Sequence, residues 1–506
     1  MDGERPNSPS ARVVLGAWAL GLTGATCLVL VGLDARPIAD DWWFITDARH
    51  EGFLSYMGKY LASSGRFSQF ALAWLSARLF GTAAVNVIAL GLLVLAVALA
   101  AWALRAVALL RQRSPAPARE LLLAVMAVVA TFASAPSLYD TIGWFAASVV
   151  YVAAVVAMLA IAAVVLNDLS GRSGPLWPVA VSVGVLACAE GGFNEIVGAV
   201  TILACLLALL SAHELCDRNL RRRSSVTLAA TATGALVGTL VNVFGPGSQA
   251  RASAQGAHVS IAAAAQTAVN NLSFLRSDAH DGVFLLAVGT GVLAYQVLGP
   301  VDGAPLRRWT AAWTLFLMSV PWLVTSCLTA WGGSTESGDR SPFRAAFIAT
   351  GAFAMGLALA VVLALSMTRV SPRRRAVELL GLVALCAGTL CLLRKAAPLI
   401  RAENMRIHAL ALRASAIRRE VYSQLSTVTV TPAPLLTVLT QAYDLSFAPT
   451  SQQRSGWLSG FKTMSGIPTG VAVRVVAQQP RSYCLPGVSA PWVGVESCQQ
   501  LDAQRR

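Results

Sequence analysis

About eleven times between Val13 and Leu393 the chain runs apolar for long enough to cross a bilayer core, in stretches of about 17–25 residues. Repetition at that length leaves one class of fold. Inside hydrocarbon every backbone N–H and C=O must be satisfied within its own segment, and helices do this where loops and open strands cannot. The expected fold is an all-α polytopic membrane protein of about 11 transmembrane helices. The balance of 56% hydrophobic against 13% charged residues fits no water-soluble globule.

The spans are read at about 13–33, 84–108, 120–135 and 144–166, two between 178 and 212, then 226–243, 283–299, 310–329, 346–367 and 377–393. The first is too long for a signal-peptide core and has no clear small-residue cleavage site, so it reads as retained. The formal net charge is +14, but its distribution argues against nucleic acid as a partner. Arginines concentrate in alternate short loops: Arg111 and Arg113, then Arg172, then Arg218 with Arg221 to Arg223, then Arg307 and Arg308, then Arg373 to Arg375. By the positive-inside rule these loops and residues 1–12 are cytoplasmic in an inner (plasma) membrane. An odd count then puts 394–506 outside. Arg394, Lys395 and Arg401 oppose this locally, but long tails translocate largely regardless of charge.

The tail opens as a helix to about Gln424. Alternation at Val428 and Val430, and at Val471, Val473 and Val475, predicts short strands, hence a small α/β extracytoplasmic C-terminal domain over 394–506. Cys484 and Cys498 bracket a Pro/Gly loop there, and a disulfide between them requires an oxidising compartment. Cys27, Cys188, Cys205, Cys327, Cys386 and Cys391 fall in or at the ends of apolar runs as packing residues. No spacing marks a metal site.

The outer segments, 34–82, 244–282 and 330–345, carry the acidic and glycine-rich motifs. Asp40-Asp41-Trp42-Trp43-Phe44 stands at the mouth of the first span, where ionisable groups mark either function or merely the membrane boundary. Two amphipathic stretches follow, Glu51 to Ser64 and Phe67 to Phe80, flanking Ser64-Gly65-Arg66-Phe67 and suited to the interface. Glu190-Gly191-Gly192-Phe193-Asn194-Glu195 breaks an apolar segment, as a plain outer turn or as irregular backbone lining a cavity. Gly245-Pro246-Gly247 with Arg251 suits an anion cradle or a simple turn. Arg340 and Arg344 are candidate anion contacts or snorkelling side chains. Asn271-Leu272-Ser273 matches a glycosylation sequon, a motif that is short enough to recur by chance.

Carboxylates beside arginines on one face suit transfer of a group carried on an anionic lipid. A carboxylate accepts the proton of an acceptor hydroxyl, while guanidinium groups stabilise the phosphate as charge develops on it. The pattern resembles the GT-C superfamily of polyprenyl-phosphate-sugar-dependent glycosyltransferases, and more closely an uncharacterised bacterial family of polytopic proteins near it. The resemblance rests on Asp40-Asp41-Trp42, Gly65-Arg66-Phe67, Trp144 with Tyr151, Asn194-Glu195, Gly245-Pro246-Gly247 with Arg251, Arg340 to Arg344, and Tyr443-Asp444-Leu445 to Trp457. It departs at Ser248, where an asparagine is expected, and near Ser465-Gly466, where a tyrosine pair is missing.

The resemblance implies an inverting transfer at the outer face, from a lipid-linked sugar to a cell-envelope glycan, lipid or protein hydroxyl. Asp40 or Asp41 would be catalytic, and Arg66, Asn194, Glu195, Gly247, Arg251, Arg340 and Arg344 would bind substrate. Some members need a divalent cation, which outer carboxylates can hold through oxygen ligands. The alternative class is a non-catalytic transporter, flippase or scaffold. That class places ionisable residues deep within spans, and Glu190 is the residue of that kind.

Overall fold

The structure is a computed structural model that describes residues 11–35, 37, 41–114, 116–172, 174–254, 260–332, 341–368, 374–422, 427–430 and 472–475. Helix α1 (Ala11–Asp34) is the first apolar run, and α2 (Asp41–His50), α3 (Phe53–Leu61) and α4 (Phe67–Phe80) follow it as a helical cluster. Helix α5 (Ala84–Leu110) continues from α4 through a short turn at Gly81, whose φ of 58° favours a residue without Cβ. Helix α6 (Pro117–Ala133) leads into an irregular stretch, Tyr139–Val152, made of two π-turns around the short α7 (Phe145–Ala147). The chain resumes as α8 (Ala153–Leu169), α9 (Leu176–Phe193), α10 (Glu195–Leu215), α11 (Arg218–Phe244), α12 (Pro246–Ala254) and α13 (Ile261–His280). Helices α14 (Phe284–Leu298), α15 (Ala304–Trp331), α16 (Phe343–Met367) and α17 (Arg374–Tyr422) complete the bundle.

All eleven apolar runs are helices. Among the described residues, nine segments are long and apolar enough to cross a membrane. The other two runs are shorter, α6 with 17 residues and α14 with 15, and they pack against each other inside the bundle. At 1.5 Å per residue they rise roughly 22–26 Å, less than the hydrocarbon thickness.

Contacts between helix ends fall into two sets that match the alternation of loops. In one set Arg111 donates to the carbonyl of Gly299, Arg223 pairs with Asp168, and Arg308 pairs with Glu214. Several basic-loop arginines therefore also hold helix ends together, which charge counting alone does not show. The other set gathers the ends that carry the acidic and glycine-rich motifs, described below.

Helices α9 and α11 run side by side in parallel at very close range. A Cβ on Gly234 would lie 2.0 Å from the carbonyl oxygen of Gly184, and one on Gly238 would lie 2.1 Å from that of Cys188. Small residues one turn apart permit this approach, and packing between the backbones replaces the hydrophobic driving force that lipid does not supply. One further turn along α11 stands Asn242.

Three sequence expectations change in detail. The stretch Glu190 to Phe193 is helical, and the break is confined to Asn194 between α9 and α10. The Gly-Pro-Gly motif is a helix junction, with Gly245 ending α11 and Pro246 at the first position of α12, where its missing N–H has no intrahelical role. The mixed-polarity region beyond it contains the 20-residue α13. In the tail, Thr427–Val430 and Ala472–Val475 pair in parallel. The other residues of the expected C-terminal domain beyond Tyr422, Cys484 and Cys498 included, lie outside the described residues.

Candidate functional site

The acidic and glycine-rich motifs meet at a joint that begins with Gly65. A Cβ there would stand 2.0 Å from the carbonyl oxygen of Asn242, so only glycine lets the α3–α4 loop reach the end of α11. Gly247 answers from the other side, since its Cβ would meet the Ser64 nitrogen at 2.2 Å. The N–H of Gly65 donates to Ser248 Oγ at 2.9 Å. The serine standing where the resemblance leads one to expect an asparagine thus has a defined task in this chain.

Tight contact at Gly65 delivers Arg66 to α10. Its Nη2 donates to Glu195 Oε1 at 2.9 Å and its Nε to Oε2 at 3.3 Å, a fork-to-fork pair between residues 129 apart in sequence. Asn242 Nδ2 donates to Glu195 Oε2 at 3.3 Å and to the carbonyl of Gly191 at 3.1 Å. The guanidinium also lies over the ring of Tyr151, 5.9 Å from its centre. Burial opposes the charge on Arg66, but Glu195 and Tyr151 outweigh it and hold the proton more tightly than on a free arginine. Asn194, the residue before Glu195, caps α10 by accepting from the N–H of Ile196 at 2.9 Å. Its Nδ2 is buried without a partner.

The second group of motif residues meets on the same irregular stretch. Trp144 precedes α7 and offers no side-chain cap. Asp41, fully buried at the start of α2, supplies one across 105 residues by accepting from the N–H of Ala146 at 2.9 Å. Orphan N–H groups at a helix start attract an anion, which is why a carboxylate fits there. Arg344, in the first turn of α16, lies over the indole of Trp144 at 4.9 Å. Ala146 and Tyr151 are five positions apart, a rise of roughly 7 Å on a helix, so Tyr139–Val152 connects the Asp41–Arg344 group with the Arg66–Glu195 group. Turns of π type interrupt the normal ladder and recur at functional sites.

Seven of the nine sequence-predicted residues are described in the structure. Arg66, Asn194, Glu195 and Gly247 share the first joint, and Asp41 and Arg344 share the Trp144 segment. Arg251 lies on α12, directly after the joint, with its side chain outside the description. Asp40 and Arg340 lie outside the described residues. Next to Arg340, Ser341 is pinned by Asn271, whose Oδ1 accepts from the Ser341 N–H at 2.8 Å and whose Nδ2 donates to Ser341 Oγ at 2.8 Å and Ser326 Oγ at 2.9 Å. Asn271 is 2% exposed, so the sequon match is a structural asparagine in this fold.

Sequence reasoning passed over two further groups. Asn242 lies within the 226–243 run and was given no role; its place one turn beyond the Gly234 and Gly238 pair is the available signal. Lys395, counted as a loop charge, is buried in α17 and donates to the carbonyls of Ala133 at 3.1 Å and Ala135 at 2.6 Å and to Asp278 Oδ1 at 3.3 Å. Burial pushes the Asp278 carboxyl up to about 6, with Lys395 opposing.

Among the described residues no three His, Cys, Asp or Glu side chains are grouped to hold a metal ion. The fold and this arrangement define a helical protein of the multi-pass membrane type. Comparison with protein-family models, curated proteins and solved structures finds no match to this chain.

Proposed function

We propose that the chain is a membrane glycosyltransferase that moves a sugar from a polyprenyl-phosphate-linked donor to a hydroxyl of a cell-envelope glycan, lipid or protein at the extracytoplasmic face. The observation that carries this reading is the meeting of two motif groups, Asp41 with Arg344 and Arg66 with Glu195, along the one segment Tyr139–Val152. A guanidinium stacked on an indole is held in place by its face, and arginine is the side chain suited to a donor phosphate. The anion contacts fall to Arg344, Arg340 and Arg251. Within the acidic pair the general base is Asp40 or Asp41. The Asp41 carboxylate accepts a backbone N–H at a helix start, which fixes its position against the Trp144 segment.

The test is transfer from a defined polyprenyl-phosphate sugar by the purified full-length chain in lipid. Asp40→Asn keeps the shape but removes the proton acceptor, and turnover should fall by roughly 10²-fold to 10⁴-fold. Asp41→Asn should lower thermal stability as well as turnover. Full activity in both variants sinks the reading.

A second reading, a non-catalytic transporter or flippase for envelope lipids or glycans, draws support from the fully buried Glu190 in α9. Movement of an unmodified lipid-linked sugar across vesicles, without product formation, would favour it.

A further inference from the structure

Glu190 is fully buried in α9, one turn before the Asn194 break. Its Oε1 accepts from the Thr201 hydroxyl of α10 at 2.5 Å, and its Oε2 has no partner. Among the described residues no ion pair forms on it. Thr201 and Cys205 of α10 lie beside it, while Thr239 and Asn242 of α11 pack against the next residue, Gly191, and Ser68 of α4 stands beside Gly192. Just past this end of α9, Arg66 and Glu195 pair with each other.

The packing keeps other charges away. Between Gly191 and Gly198 the space is filled by Thr239, whose Oγ1 would lie 2.9 Å and 2.1 Å from Cβ atoms placed on those glycines. On the same helix the Thr227 and Thr231 hydroxyls donate to backbone carbonyls one turn earlier. The Thr239 hydroxyl is buried and makes no such bond. Glu190 Oε2, Thr239 Oγ1 and Asn194 Nδ2 are thus three unpartnered buried polar atoms at the α9–α10–α11 junction. A carboxylate without a counter-cation in this setting is far costlier than a neutral acid with one unmade hydrogen bond.

We propose that Glu190 is a proton-binding site within the membrane domain, holding its carboxyl neutral while the three helix ends are packed as they are here. Separation of those ends would admit water, and the O–H bond would then break heterolytically, leaving the carboxylate and passing the proton to a water molecule. The site is independent of the transfer chemistry proposed above and stands whichever functional reading holds.

Infrared difference spectroscopy on the full-length chain, in vesicles of phosphatidylethanolamine and phosphatidylglycerol, reads this proton directly. At neutral pH a carboxylic-acid C=O band should be present that is lost in Glu190→Gln and kept in Asp278→Asn. In Thr201→Val it should move to higher frequency, because the carbonyl loses its donor. Replacing choline chloride with sodium chloride should leave the band unchanged. Glutamine has the shape of the neutral acid, so Glu190→Gln should fold with an unaltered thermal midpoint; if it does not, the Thr201→Val shift decides. A band unaffected by both variants, or one abolished by sodium, overturns the proposal, the latter by making the occupant a metal ion.

Discussion

Removing Arg66 and Glu195 singly and together measures how much the outer joint depends on one ion pair. The pair is bidentate at 2.9 and 3.3 Å, with side chains 17% and 25% exposed. Exposed pairs couple by about 0.2–1 kcal/mol. Stranding one partner of a fully buried pair costs about 3–5 kcal/mol. With about four-fifths of each side chain covered, and with Asn242 still donating to Glu195 in the arginine variant, a coupling energy of about 2 kcal/mol is expected. Arg66→Met keeps the aliphatic stem and Glu195→Gln keeps the shape, so packing loss is small in both. The assay is thermal or denaturant unfolding of the full-length chain in mild detergent, repeated at low and high salt. At contact distance the coupling should survive salt, which screens mainly charges separated by more than about 8–10 Å. A coupling below about 0.5 kcal/mol would refute the reasoning, because the glycine contacts would then hold the joint and the ion pair would merely accompany them.

Gly65→Ala should be among the most damaging small substitutions in the chain, because its Cβ meets a backbone oxygen at 2.0 Å and the loop must shift by more than 1 Å; loss of at least about 2 kcal/mol in unfolding, with Gly52→Ala neutral, is the expected contrast. Cysteine labelling from either side of intact membranes should place the Arg113, Arg222 and Arg308 positions together and the exposed Ala62 and Ala250 positions opposite; labelling of the Arg222 and Ala62 positions from one side would break the topology. Because the Asp278 carboxyl is raised from 3.8 to about 6, the folded state binds the proton more tightly than the unfolded one, and stability should fall as pH rises from about 4 to about 6. Asp278→Asn should flatten that slope in unfolding measured against pH. Expression in a glycosylating host should leave Asn271 unmodified in the folded protein, detected by mass spectrometry, because its amide is buried in three hydrogen bonds.

What the linear chain determines is the set of apolar helices, because hydropathy over about 20 residues is a local property. All eleven apolar runs are helical, and the amphipathic stretches before α5 became α3 and α4 close to their expected limits. Local pattern also picked out most of the motif residues, since glycine next to arginine, or a paired acid beside tryptophan, is unusual at a span end. It could not say which motifs meet. Gly65 reaches Ser248 across 183 residues and Asp41 reaches Ala146 across 105, contacts that exist only because α9 and α11 close through glycines and so set where the ends of α10, α11 and α12 stand. Tertiary packing alone also separates the two glutamates of one motif: Glu195, at a helix start beside Arg66, keeps a cation, and Glu190, five residues earlier and turned into the three-helix junction, has none. The physical reason is that hydropathy is additive along a segment, whereas charge compensation depends on what another segment brings within about 3 Å.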